Sequence, residues 1–132
     1  TYAKVDNWVF RLLKNNTPGP YTFILKGSKE VPRRLLNPKR KTIGIRVSPD
    51  PIVMALLETL KEPLMSTSLV LDDHDFAESD PYEIREHLGN QVDLIIDGNN
   101  RGEEPTTVID LADGEVKIVR EGAGDIQPFI GV

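Results

Sequence analysis

The sequence contains no cysteine, so disulfide staples and thiolate chemistry are excluded. It has no apolar run near the ~18 residues that a membrane-spanning helix requires. No secretory leader is recognisable at its start. These absences fit a reducing, cytoplasmic setting with no membrane partner, which is the expected localisation. The common catalytic signatures are missing as well: there is no Walker loop, no G-x-G-x-x-G after a strand and no G-x-S-x-G elbow.

What remains is an ordinary globular composition. The 132 residues are 39% hydrophobic and 28% charged, which fits one soluble domain over residues 1–132 with a real core. The net charge of −5 argues against a nucleic-acid binder, but its distribution does not. Between Lys26 and Arg46 stand eight basic residues (Lys26, Lys29, Arg33, Arg34, Lys39, Arg40, Lys41, Arg46) and one acid, Glu30. That stretch carries +7 and the rest of the chain −12. A concentrated basic segment can meet phosphate; it can equally be a solvated loop offsetting an acidic remainder.

The pattern alternates helices with apolar strands. Val5, Trp8, Val9, Leu12 and Leu13 share one helical face, and "NNTPGP" ends that helix. "YTFILK" and "TIGIRV" read as strands. Asp50–Pro51 and Asp80–Pro81 each provide a cap followed by proline at the first helical position, opening "PIVMALLETL" and "YEIREHL". Apolar runs at "EPLMSTSLVL" and "VDLIID" read as further strands. "TTVIDL" and "VKIVRE" read as strands of a hairpin about "ADGE". The expected class is α/β with a mixed sheet.

Candidate chemistry is confined to hydroxyls and arginines near strand ends. Thr42 and Arg46 lie four apart, so they share a strand face. Ser66 and Ser68 likewise share a face, in a run with Thr67 that poses a question: a buried hydroxyl without a partner costs roughly 1–3 kcal/mol. Thr106 opens a strand and Arg120 ends one. Open α/β sheets gather ligands at strand ends, and such groups without acid–base pairs suit a phosphate or carboxylate. Serine and threonine in strands also simply bond to neighbouring backbone. His74, within "DDHD", reads as part of a solvated acidic loop rather than a weak cation site, and His87 as a helix-surface residue rather than a general base. No metal site is assigned.

Taken together, "TPGPYTFILKGSKEVPRRLL", "KTIGIRV", "PLMSTSL", "PTTVIDL" and "IVREGAGD" resemble the YrdC/YciO family of the threonylcarbamoyl-AMP synthase superfamily, most closely its YciO branch. The resemblance implies a twisted mixed sheet with flanking helices and a concave, positively charged surface. It implies ATP or AMP, with magnesium, as cofactors, and tRNA or double-stranded RNA as partner. By position, Thr42, Ser66, Ser68, Thr106 and Arg120 would hold nucleotide, and Arg46 an amino-acid carboxylate. Lys26, Lys29, Arg33, Arg34, Lys39, Arg40 and Lys41 would meet RNA.

Two departures from the family pattern stand out. Active synthases read Ser-Ala-Asn where this chain reads Ser68-Leu69-Val70, replacing an amide with an aliphatic group that neither donates nor accepts. The family's N-terminal portion, with its Lys-x-Arg motif, has no counterpart here, so the chain looks like the C-terminal two-thirds of such a domain. Three functions follow: nucleotide and RNA binding, threonylcarbamoyl-AMP synthesis or a related ATP-dependent step at full length, and a non-catalytic interaction module.

Overall fold

The computed structural model describes residues 1–71, 77–99 and 104–132. The "DDHD" segment therefore lies outside the described residues, as do residues 100–103. The described chain forms two compact units. One comprises Thr1–Pro49 with Thr106–Val132, the other Asp50–Pro105.

The first unit holds a four-stranded sheet in the order β2-β1-β3-β4. Its strands are β1 (Tyr21–Lys26), β2 (Thr42–Ile45), β3 (Thr107–Asp110) and β4 (Lys117–Arg120). The central pair β1–β3 is parallel, with Phe23 opposite Ile109, and both outer pairs are antiparallel. The expected mixed α/β sheet is therefore present. Its strands end earlier than the apolar runs suggest: β2 stops at Ile45, before Arg46. The register of β4 shifts between Val108 and Ile109, placing Arg120 opposite Val108 and Ile118 opposite Ile109.

Period-two alternation assigns the two faces of this sheet. Tyr21, Phe23 and Leu25 of β1 point into the core, with Ile109 and Leu111 beside them. Helix α1 (Asn7–Asn16) covers that face with Val9, flanked by the half-buried Trp8, Leu12 and Leu13. Val5 precedes the helix and is exposed. Phe129, in a short 3-10 turn at Gln127–Phe129, completes the cluster. Its ring meets Tyr21 edge-on at 5.3 Å and Phe23 at 5.9 Å. Side chains this well buried contribute about 1.5–3 kcal/mol each, which makes this cluster the anchor of the unit.

The second unit contains α2 (Pro51–Leu60) and α3 (Pro81–Leu88). Both begin as the Asp-Pro pairs predict. Asp50 Oδ1 accepts the Ile52 N–H at 2.8 Å, and Asp80 Oδ1 accepts the Tyr82 N–H at 3.0 Å. These satisfy N–H groups that the first helical turn leaves without partners.

The strands expected at "EPLMSTSLVL" and "VDLIID" do not form. Both segments lack regular secondary structure and belong to no ladder among the described residues. A strand needs a neighbour to satisfy its row of N–H and C=O groups, whereas here the Leu69 carbonyl accepts one bond, from the Glu78 N–H at 2.7 Å. Ser66, Thr67 and Ser68 are exposed, so the burial cost that their sequence suggests does not arise. No helix among the described residues is long and apolar enough to cross a membrane.

Candidate functional site

The sheet face turned away from the core carries the polar chemistry. Alternation puts Thr22, Ile24 and Lys26 of β1 there, together with Val108 and Asp110 of β3. Thr106, immediately before β3, belongs to the same set. Its Oγ1 lies 2.7 Å from Thr22 Oγ1 across the parallel pair. Arg120 of β4 closes on the same residue. Its Nε and Nη2 donate to the Thr106 carbonyl at 3.0 and 2.8 Å, and Nη2 reaches Thr106 Oγ1 at 3.2 Å. Two hydroxyls and a guanidinium thus meet over three adjacent strands, with no acid bonded to any of them among the described residues.

Thr107, the next residue, points the other way and is fully buried. Its hydroxyl donates to the Gly124 carbonyl at 2.7 Å and accepts the Gly122 N–H at 2.9 Å. The two adjacent threonines therefore divide the work. Thr107 pins the C-terminal segment from within, while Thr106 presents its hydroxyl on the outer face.

A second polar cluster fixes the basic segment. Asn37 Oδ1 accepts the N–H groups of Lys39 and Arg40 at 3.0 and 2.9 Å. The Lys41 N–H returns to the Asn37 carbonyl at 2.9 Å. This turn delivers Arg40 Nη1 to Asp110 Oδ2 at 2.7 Å and Nη2 to Asp113 Oδ2 at 2.8 Å. Asp110 is buried, and burial alone would push its carboxyl up. The hydrogen bonds from Arg40 and the Ala112 N–H, with the charges of Arg40 and Lys117, outweigh this and hold it below the usual carboxylate range. The same bonds push the Arg40 guanidinium up.

The residues singled out from sequence divide accordingly. Thr106 and Arg120 come together. Thr42 lies on the outer face of β2 by alternation but is buried, and Arg46 is exposed beyond the end of that strand. Ser66 and Ser68 belong to the second unit. Within the basic segment, Arg40 is committed to Asp110 and Asp113, and Lys26 Nζ lies 4.0 Å from Asp113. Lys29, Arg33, Arg34, Lys39 and Lys41 are exposed and carry no ion pair among the described residues; Arg33 and Arg34 stand on a 3-10 turn. His87 is exposed, its Nδ1 2.8 Å from the Glu83 carbonyl one turn back.

Sequence reasoning did not single out Thr22, Asn37 or Asp113. Thr22 had a signal, since "YTFILK" puts it opposite the core residues of its own strand. A hollow of about 260 Å³ in the second unit is lined by Asp80, Tyr82, Arg85 and Asp97 among others. It involves none of the predicted site residues.

Comparison with known proteins agrees with this architecture. A family model, Sua5/YciO/YrdC, described as telomere recombination, matches residues 1–122. The uncharacterized protein YciO of Escherichia coli is 64% identical over 130 residues, covering 98% of this chain. Its crystal structure superposes with a TM-score of 0.92. The chain spans 63% of that protein's length. The structure of P. abyssi Sua5 complexed with L-threonine matches at 27% identity and a TM-score of 0.80, over 92% of this chain and 36% of that one. A threonylcarbamoyl-AMP synthase of Marinobacter nauticus is 31% identical over 99 residues, 74% of this chain and 52% of its own. With its sheet, its length of match and these relatives in agreement, the chain belongs to the Sua5/YciO/YrdC family and is related to the threonylcarbamoyl-AMP synthases.

Proposed function

We propose that this chain is a nucleotide- and RNA-binding domain of the YciO type, holding phosphate at Thr106 and Arg120. The observation that carries the proposal is the convergence of Arg120 on Thr106, beside Thr22, on the outer sheet face. Guanidinium and hydroxyl donors suit phosphate oxygens, and Arg favours their planar, forked recognition. RNA backbone would meet Lys29, Arg33, Arg34, Lys39 and Lys41, exposed residues without protein counter-charges among the described ones. Arg40 serves structure first, through Asp110 and Asp113. Lys26 would join the RNA-facing set, and Arg46 would hold an amino-acid carboxylate.

Magnesium would accompany nucleotide phosphates, since that ion keeps several waters and needs few carboxylates. Among the described residues no three His, Cys, Asp or Glu side chains gather into a site of their own.

The test is binding of ATP, AMP and pyrophosphate by calorimetry, with tRNA binding measured across a salt series. Phosphate contact predicts affinity that falls steeply with salt. Replacing Arg33, Arg34 and Lys39 should flatten the slope by about 1 per contact removed. A flat salt response in the unmodified protein would overturn the RNA reading, and failure to bind any of the three small ligands the nucleotide reading.

A second reading, synthesis of threonylcarbamoyl-AMP by the chain at its full natural length, is favoured by the likeness to P. abyssi Sua5 complexed with L-threonine. The Leu69–Val70 pair stands against it, because losing one positioned polar contact costs about 10²–10³ in rate where it acts on the transition state. Threonine- and bicarbonate-dependent pyrophosphate release separates the two. If it is absent, and Val70→Asn does not raise it, the synthase reading fails.

A further inference from the structure

We infer that Thr22 is a positioning residue for the anion held by Thr106 and Arg120, an inference that rests on the phosphate-binding reading above. A hydroxyl carries one proton and two lone pairs. Thr106 Oγ1 receives Arg120 Nη2 at 3.2 Å and faces Thr22 Oγ1 at 2.7 Å. One proton suffices for the hydroxyl–hydroxyl bond. In the positioning arrangement Thr22 donates it, so Thr106 Oγ1 accepts from both Thr22 and Arg120 and the O–H of Thr106 is left with no acceptor among the described residues. Arg120 Nη1 likewise meets no acceptor among them, because Nε and Nη2 make all the bonds of that guanidinium. The pair therefore leaves a hydroxyl proton and the two N–H groups of Nη1 unused on one half-exposed face. An anion's oxygens would take them.

Two further features fit this role. Among the described residues Thr22 makes no side-chain bond to its own backbone or to a neighbouring carbonyl, the usual employment of a threonine in a strand, and its one partner is Thr106. Beside it on β2 stands Gly44. Among the described residues, a Cβ placed there would meet Thr22 Cγ2 at 3.4 Å, so a side chain at this position would stand against the methyl of Thr22. Thr22 thus orients the Thr106 hydroxyl. It acts through Thr106 on the anion.

The experiment compares wild type, Thr22→Val and Thr22→Ser in pyrophosphate and ATP binding by calorimetry, with thermal unfolding in parallel. Valine keeps the shape and removes the hydroxyl; serine restores it. The expected result is a loss of about 2- to 10-fold in affinity for Thr22→Val, the range of one neutral hydrogen bond. Recovery in Thr22→Ser and similar melting temperatures should accompany it. In a cycle with Thr106→Val the two losses should not add, because the first acts through the second. If Thr22→Val does not fold, Thr22→Ala gives the same readings.

Unchanged affinity in Thr22→Val, or additive losses, would overturn the positioning role while leaving the phosphate site standing. A loss that tracks melting temperature in all variants would reduce Thr22 to a structural residue and overturn the inference equally. Failure of the wild type to bind either ligand would overturn both readings together.

Discussion

Arg40 Nη1 and Asp110 Oδ2 lie 2.7 Å apart, joined across 70 residues of sequence. The pair ties the basic turn after β1 to the end of β3, and a second contact to Asp113 Oδ2 extends it into the β3–β4 turn. Asp110 is buried while the Arg40 side chain is partly exposed. Removing the arginine leaves the buried Asp110 carboxylate with the Ala112 N–H as its remaining hydrogen bond among the described residues, whereas Asp113 and its cationic partners are exposed enough to be solvated. Arg40→Ala should lower stability to urea by about 1–3 kcal/mol. Asp113→Ala should cost less than about 1 kcal/mol, as exposed pairs do. Arg40→Lys should recover only part of the loss, because an ammonium cannot reach both carboxylates as a fork.

The same pair makes stability depend on acid. The folded pKa of Asp110 lies below its unfolded value, so the folded state favours the ionised form. That contribution is fully present above the unfolded value, about 3.9, and is lost as pH falls through the lower folded value. Urea midpoints followed from neutral pH downward should therefore drop for wild type. Asp110→Asn should be less stable at neutral pH and should converge on wild type in acid. Parallel curves for the two proteins would mean that Asp110 does not drive the acid limb.

The contrast between the two units shows what could be read from sequence. In "YTFILK", alternation, strand length and the flanking proline and glycine all agree, and β1 occupies the six residues expected. Both Asp-Pro helix starts are local chemistry and appear as read. "EPLMSTSLVL" and "VDLIID" carry equally good strand composition, but a ladder depends on a second segment that composition does not name. Met65 and Leu94 remain 77% and 78% exposed, so apolar character did not secure burial there. The site was legible in part for the same reason. Thr106 and Arg120 mark strand ends, whereas Thr22 gains its meaning only when β1 and β3 run parallel. The commitment of Arg40 was hidden because its partner lies 70 residues away.

Thr107 offers a test of the internal half of the threonine pair. Its buried hydroxyl serves two backbone groups of the C-terminal segment, the Gly122 N–H and the Gly124 carbonyl. Thr107→Val keeps the shape and leaves both without that partner, at about 1–3 kcal/mol for each group that stays buried. A drop in the urea midpoint is expected, with Thr107→Ser close to wild type. Equal stability of the valine and serine variants would show that shape alone fixes the segment.

Gly124 constrains the same segment by space rather than by hydrogen bonding. A Cβ there would stand 2.4, 2.7 and 2.9 Å from Cε1, Cδ1 and Cζ of Tyr21. That ring cannot retreat cheaply: Phe23 and Phe129 pack against it, and its hydroxyl donates to the Asp125 carbonyl at 2.8 Å. Overpacking of this kind costs about 1–3 kcal/mol, so Gly124→Ala should lower the unfolding midpoint and alter the near-ultraviolet circular dichroism of the aromatic cluster. Tyr21→Leu should itself destabilise, yet adding Gly124→Ala to it should cost much less than in wild type, because the obstructing ring is gone. Additive losses would locate the penalty in the backbone instead of in the contact with Tyr21.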